Sequence, residues 1–357
     1  MKILFILPGI GKHTPGGGSK LVLEYANRIA GRGHDVNILF PKYLNSAISR
    51  PRETFIRLKL ILSKTQRPEW FNLNEGVKLI RVPTLNEKFI PDADVVIATA
   101  WETAIFVNDY SSAKGNKFYL FMHYERLPNT LHKDNIDYFT FKLPLQKIVI
   151  SSCLQQTLKA QYNEDSFLIN TAVSLEQFYR EIGDISNKEK RICMFFNNAV
   201  WKGSEYGFKA FELVNSHYKD LKLIVIGNQS PQNPRKDIIS EYFFRPSDDM
   251  LRKIFNSCSI FLSPNLREGF GLPAAEAMAC GCALVTADNC GCRDYAIHNR
   301  TALVSNPGDA KALSAHIKIL LDNPPFRNTL SQNGYNHIRQ FSLDVSTAQL
   351  LHILGAG

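Results

Sequence analysis

A chain of 357 residues is longer than one ordinary hydrophobic core organises and points to two domains. With 45% hydrophobic and 21% charged residues it reads as a soluble globular enzyme, and no run reaches the roughly 18 apolar residues of a spanning helix. The formal charge of +9 is uneven, with 22 Lys/Arg against 15 Asp/Glu in residues 1–170.

The start, "MKILFILPGIGKHTPGGG", has one lysine ahead of a short apolar run, which suits a buried first strand better than a signal peptide, so a cytoplasmic location is expected. After a glycine-rich turn, apolar residues at Leu21, Val22, Tyr25, Ala26 and Ile29 carry helical spacing, closed by Gly31 or Gly33. "DVNILF", "VKLIRV", "DVVIAT", "KFYLFM" and "QKIVIS" read as further strands, each nearly continuous in apolar residues. Such strands alternating with helices indicate a parallel sheet covered on both faces. Around 163–191 the pattern weakens into a crossing segment. It restarts with "RICMFF", a helix from about Glu205 to Val214, "LKLIVIG", "EYFFRP", the helix "DDMLRKIFNSC", "IFLSP", a helix after Pro273, "ALVTA" and "TALVS". The fold class expected is therefore α/β: two doubly wound, Rossmann-like parallel-sheet domains, residues 1–165 and 170–340, facing a cleft. The helical segment within 342–357 is expected to pack back on the first domain. No short repeat and no low-complexity linker interrupts the chain.

Seven basic residues and a single acid, Glu53, lie between Lys42 and Arg67, with Phe55, Ile56, Leu58, Ile61 and Leu62 among them. As a helix this segment would be amphipathic, suited either to an anionic membrane surface or to an ordinary solvated face. No zinc finger, RNP-like strand or long basic tail supports nucleic acid as a partner. The cysteines number seven, and four of them stand as Cys280-Gly-Cys282 and Cys290-Gly-Cys292. Structural zinc ligands are usually spaced by two or more residues, so reduced, structural thiols are expected.

In open α/β sheets ligands sit at the carboxyl ends of the strands, so the loops after strands carry the chemistry. Gly16, Gly17 and Gly18 precede a helix start, where backbone N–H groups can meet a phosphate; a plain flexible turn is the other reading. The loop matches neither the dinucleotide fingerprint nor a P-loop. His123 directly follows the "KFYLFM" strand, a placement that suits function as well as structure. Lys202 precedes Gly203 at a strand-to-helix turn, where an ammonium can meet phosphate. The most specific stretch is "LREGFGLPAAE": Glu268 stands before two glycines, Gly269 and Gly271, and Glu276 about one turn into the helix that Pro273 opens. The glycines let backbone amides approach a ligand, and the helix N-terminus favours an anion.

At these residues the chain resembles the retaining glycosyltransferases of the GT-B fold, in particular glycosyltransferase family 4. The resemblance rests on the two glutamates of "EGFGLPAAE", the following "AMACGCALVTADNCGCRDY", the upstream "GGGSKLVLEYANRIAGRGHDVNIL" and "TALVSNPGDAKALSAHI". It implies transfer of a sugar from a nucleotide-diphosphate sugar to a glycan or lipid-linked acceptor in cell-surface polysaccharide or lipopolysaccharide synthesis, with retention of configuration. Glu268 and His123 would lie at the transferred sugar, and Glu276 would accept hydrogen bonds from the nucleotide ribose. Backbone groups of Phe270, Gly271 and Leu272, with Lys202 and Gly16–Gly18, would meet sugar and diphosphate. Gly227 and Arg245 are further donor-side candidates. Family members usually carry an arginine where this chain has Asn197, so the diphosphate would rely on Lys202, the helix N-terminus and Arg245 or Arg267. Neither domain is read as containing an Asp-x-Asp motif to hold a divalent cation, and neither a metal nor another cofactor is expected. A sugar-nucleotide epimerase or phosphorylase of the same fold and a non-catalytic nucleotide-sugar-binding subunit are the alternatives. Peripheral contact with the cytoplasmic membrane face through 42–67 is the remaining partner expectation.

Overall fold

The computed structural model describes residues 1–11, 17–44, 67–123, 140–181, 190–218, 220–229 and 235–356. The basic segment between Lys42 and Arg67 falls almost wholly outside them, as does Gly16.

Up to Asn170 the elements are β1 (Lys2–Ile6), α1 (Gly17–Gly31), β2 (Asp35–Pro41), β3 (Lys78–Val82), β4 (Val95–Ala98), α2 (Trp101–Asp109), β5 (Asn116–Phe121), β6 (Gln146–Val149), α3 (Ser152–Thr157) and β7 (Phe167–Leu168). Then follow β8 (Arg191–Phe196), α4 (Ser204–Asn215), β9 (Lys222–Gly227), β10 (Glu241–Phe244), α5 (Asp248–Ser257), β11 (Ile260–Ser263), α6 (Leu272–Ala279), β12 (Ala283–Ala287), β13 (Ala302–Ser305), α7 (Ala310–Asp322), α8 (Pro324–Ile338) and α9 (Leu343–Ile353).

The chain forms two compact units. The first comprises Met1–Ile150, Leu154–Asn170 and Asp344–Gly357; the second comprises Ser151–Cys153 and Thr171–Leu343. Among the described residues the first sheet runs β3-β2-β1-β4-β5-β6-β7 and the second β10-β9-β8-β11-β12-β13, every pairing parallel. The first six strands of one unit and the six of the other thus share one doubly wound order. Helices cover both faces, which is why β4, β11 and β12 are buried at every residue rather than alternately.

In the first unit, α1 turns Leu21, Val22, Tyr25, Ala26 and Ile29 onto the sheet and ends at Gly31; the chain then leaves through Gly33 at φ +87°. The C-terminal stretch belongs to this unit. The Tyr25 hydroxyl, fully buried, lies 2.5 Å from the Ser346 hydroxyl on α9. In the second unit, α4 buries Gly207, Phe208, Ala210, Phe211 and Val214, a helical stripe set against Ile192, Met194 and Val225 of the sheet. Ser247 caps α5 by accepting from the Met250 amide, and Asp248 and Asp249 place negative charge in its first turn.

Candidate active site

Strand order locates the site. In the second sheet the chain proceeds outward from β8 through β9 to β10, then returns to the other side of β8 and proceeds through β11, β12 and β13. The loops leaving the neighbouring strands β8 and β11 therefore part company at the topological switch point, where open α/β sheets take their ligands. Lys202 stands in the first of these loops and Glu268 in the second.

Three features join the two loops. The Leu266 amide donates to the Trp201 carbonyl at 2.8 Å. Gly203, at φ +60°, lies so close to the β11 loop that a Cβ there would sit 2.1 Å from the Pro264 carbonyl oxygen. No other residue fits both that conformation and that gap. Finally, the Lys202 ammonium donates to Glu268 Oε1 at 2.6 Å, and the Asn265 side-chain amide donates to the same oxygen at 2.5 Å. Glu268 is 11% exposed and Lys202 32%. A carboxylate so far from water needs such donors, because an unpaired buried charge is costly.

The backbone of Glu268 is held as well: its amide donates to the Asn289 carbonyl at 2.9 Å, and it forms an isolated parallel bridge with Cys290. Phe270 and Gly271 follow. Gly271 sits at φ +90° as the residue before α6, and a Cβ there would come within 2.8 Å of the Tyr295 hydroxyl. That hydroxyl, fully buried, lies 3.0 Å from the Phe270 carbonyl and 3.1 Å from the Gly271 carbonyl. Burial holds its pKa far above the usual phenol value, with the neighbouring Cys292 and Glu268 adding to the effect, so it stays a neutral donor. The first amides to bond back toward the helix are those of Ala274 and Ala275, which donate to the Gly271 carbonyl. The amides of Phe270, Gly271 and Leu272 donate to no described residue, as expected of a helix start. Leu272 is the first helical residue and Pro273 the second, one position later than Pro273 was expected. Glu276 is buried in the middle of α6.

Asn197 does not act as a free substitute for an arginine. Its Oδ1 accepts from the Ala199 amide at 2.8 Å, and its backbone exchanges hydrogen bonds with the Ser204 hydroxyl at 3.0 and 2.9 Å. Its side-chain oxygen thus shapes the turn that presents Lys202. Gly227 ends β9 and accepts from the Arg245 amide at 2.8 Å; a Cβ at Gly227 would lie 2.9 Å from the Tyr242 hydroxyl. Arg245, at φ +48°, is exposed after β10, with its guanidinium 4.8 Å from the centre of the Phe244 ring. Arg267 is exposed as well.

In the first unit, Gly17 and Gly18 open α1. A Cβ on Gly18 would lie 3.1 Å from Met122 Cε, next to His123, which is half-buried just beyond β5. Gly18 and the end of β5 are thus neighbours within that unit.

Two expectations need correction. The sequence does contain one Asp-x-Asp, Asp92-Ala93-Asp94. It precedes β4, at the amino ends of the parallel strands. Asp92 pairs with Lys114 at 2.7 Å, a contact that holds its carboxyl below the usual range, and Asp94 accepts from the Lys2 amide at 2.7 Å. No metal-binding group of His, Cys, Asp and Glu occurs among the described residues. The cysteines are not all reduced: Cys153 and Cys290 form a disulfide, while Cys193, Cys258, Cys280, Cys282 and Cys292 are free and buried. The Cys153 partner, distant in sequence, carries no local signal. Asn265 and Tyr295 were also missed, because what they touch appears only once the loops are folded together.

Residues 176–337 match the family described as glycosyl transferases group 1. Among curated proteins, the chain is similar to the capsular polysaccharide biosynthesis glycosyltransferase CapM of Staphylococcus aureus, 26% identical over 42% of this chain and 41% of that one. It is also similar to the N,N'-diacetylbacillosaminyl-diphospho-undecaprenol alpha-1,3-N-acetylgalactosaminyltransferase of Campylobacter jejuni, 23% identical over 63% and 62% of the two chains. Each match thus spans less than two thirds of the relative's length. Among solved structures, Anabaena HepE in complex with UDP-glucose shares the fold with a TM-score of 0.74 at 15% identity, over 100% of both chains. The two doubly wound sheets are those of the GT-B fold, and within the second of them residues 176–337 carry the match to glycosyl transferases group 1.

Proposed function

We propose that the protein is a retaining, metal-independent hexosyl- or deoxyhexosyltransferase that moves a sugar from a nucleotide-diphosphate sugar to a glycan or lipid-linked acceptor in cell-surface polysaccharide synthesis. The observation that carries this is the Lys202–Glu268 contact of 2.6 Å at the switch point, beside the open amides that start α6. Breaking a sugar–phosphate bond builds negative charge on the departing diphosphate and positive charge on the anomeric carbon. An ammonium and a row of backbone N–H groups stabilise the first, and each such preorganised donor is worth about 3–4 kcal/mol in the transition state. A carboxylate at Glu268 orients the sugar and offsets the second. That donor set supplies the stabilisation a divalent cation would otherwise provide. Names of the curated relatives, a capsular enzyme and one with a lipid diphosphate in its name, support the substrate class. The UDP-glucose held by the Anabaena protein supports the donor class.

The test is transfer or slow hydrolysis on a panel of UDP-, GDP- and dTDP-sugars, with and without a chelator. Glu268→Gln keeps the shape and removes the charge, so kcat should fall about 100-fold with no rise in donor KM. Turnover near the wild-type rate in that variant removes Glu268 from the chemistry. Binding without turnover on any acceptor identifies a nucleotide-sugar-binding subunit instead, and activity lost to the chelator and restored by manganese refutes metal independence.

A further inference from the structure

One oxygen of Glu268 is crowded. Oε1 accepts from Lys202 Nζ at 2.6 Å and from Asn265 Nδ2 at 2.5 Å, and a carboxylate oxygen has two lone-pair directions to offer. With both donors in place, Oε1 has no room for a sugar hydroxyl. The two donors differ in kind. Lys202 ends a four-carbon stem, is one-third exposed, and carries a point charge suited to any phosphate that arrives. Asn265 is short, half-buried and three residues away on the same loop, whose backbone is tied to Trp201 through Leu266 and to Asn289 through Glu268.

Resting on the transferase reading above, we propose that Asn265 is a positioning residue that keeps Glu268 aimed while Lys202 changes partners. In this structure Lys202 neutralises Glu268. An incoming diphosphate draws the ammonium away, which opens one direction on Oε1 for a donor hydroxyl. The carboxylate then keeps its orientation through the Asn265 amide and the backbone bond to Asn289. No bond is made or broken in this exchange. It couples arrival of the leaving group to availability of one oxygen that orients the sugar, so a sugar lacking its diphosphate meets an occupied Oε1.

Turnover and the binding of UDP and GDP, measured by calorimetry, test this on the full chain and on Asn265→Ala, Asn265→Ser and Asn265→Asp. Asn265→Ala should lose about 10- to 100-fold in kcat from a misaimed carboxylate, with donor KM and nucleoside-diphosphate Kd within about twofold. Asn265→Ser retains a short donor and should recover part of the lost kcat. Asn265→Asp gives Lys202 a second carboxylate to leave, so nucleoside-diphosphate binding should weaken about tenfold, whereas Glu268→Gln releases the ammonium and should tighten it by a similar factor. A merely structural Asn265 would lower thermal stability and weaken binding together in the alanine variant, and that result, or a kcat within twofold of wild type, overturns the proposal. If the wild-type chain binds UDP or GDP but turns over no sugar nucleotide, the transferase reading fails, and opposite shifts in binding for Asn265→Asp and Glu268→Gln still uphold the partner exchange. Equal binding in those two variants refutes the exchange whatever the activity.

Discussion

Tyr295 illustrates how a single buried hydroxyl shapes a site that it does not line. It is fully buried, and one proton serves the carbonyls of Phe270 and Gly271. With those carbonyls turned to Tyr295, the two residues ahead of α6 have a fixed course. Tyr295→Phe removes the donor and strands the Phe270 carbonyl in a dry setting, while the Gly271 carbonyl keeps the Ala274 and Ala275 amides. Stability should fall by about 1–3 kcal/mol in denaturant unfolding, and nucleoside-diphosphate binding should weaken with it. An unchanged unfolding midpoint shows that the Phe270 carbonyl finds another partner. At this scale the sequence was informative where chemistry is local. Glu268, Gly271 and Glu276 fall within one short run, and the turn-forming glycines between them could be read directly. Lys202 was legible as a cation at a turn, but its partner was not. Asn265 looked like any loop asparagine, and Tyr295 acts across 25 residues of chain. Contacts made by folding distant loops together leave no periodicity to detect.

Among elements, the segment from Asp288 to Asp294 supports Glu268 from behind. Arg293 grips Asp288 with two nitrogens at 2.8 and 2.9 Å, which holds the Asp288 carboxyl below its usual range. Asp294 accepts from the Ser152 amide at 3.0 Å and from its hydroxyl. The Cys153–Cys290 disulfide adds a covalent tie between the same two stretches, closing a separation of 137 residues. Cys290 also has φ +72°, a conformation that a side chain adopts only when its surroundings impose it. Cys153→Ser, or reduction with dithiothreitol, should therefore lower stability by about 2–4 kcal/mol in denaturant unfolding. Identical midpoints with and without reductant mean that the ion pair and the Asn289–Glu268 bond hold the segment alone. In a reducing compartment the two cysteines stand as thiols and those bonds carry the load. Strands and most helices were legible because buried parallel strands announce themselves as apolar runs. The excursion of Ser151–Cys153 into the second unit was not, since nothing in "ISSCLQQ" distinguishes a residue that ends one sheet from one that braces another.

For the whole molecule, charge is the dominant unassigned property. The chain carries a formal +9, with seven Lys/Arg and one acid between Lys42 and Arg67, and no described helix is long and apolar enough to cross a membrane. An acceptor on a lipid carrier would be met at an anionic surface, to which each nearby basic residue contributes about 1 kcal/mol. Co-sedimentation with vesicles containing phosphatidylserine or phosphatidylglycerol should exceed that with neutral vesicles and fall steeply as salt shortens the Debye length. Binding indifferent to lipid charge and salt would end the idea. The doubled architecture was legible at this scale, because the strand–helix alternation stops near 163–191 and starts again.

The close approach at Gly203 has a consequence for how such a protein can diversify. Its missing side chain lets the β8 and β11 loops meet, and Gly207, where a Cβ would lie 2.9 Å from Pro264, leaves the same seam no slack one turn later. A seam without tolerance cannot absorb insertions or larger residues. Substitutions should therefore be tolerated better at the periphery, such as the end of β10 where Phe244 and Arg245 stand in solvent, than at this seam.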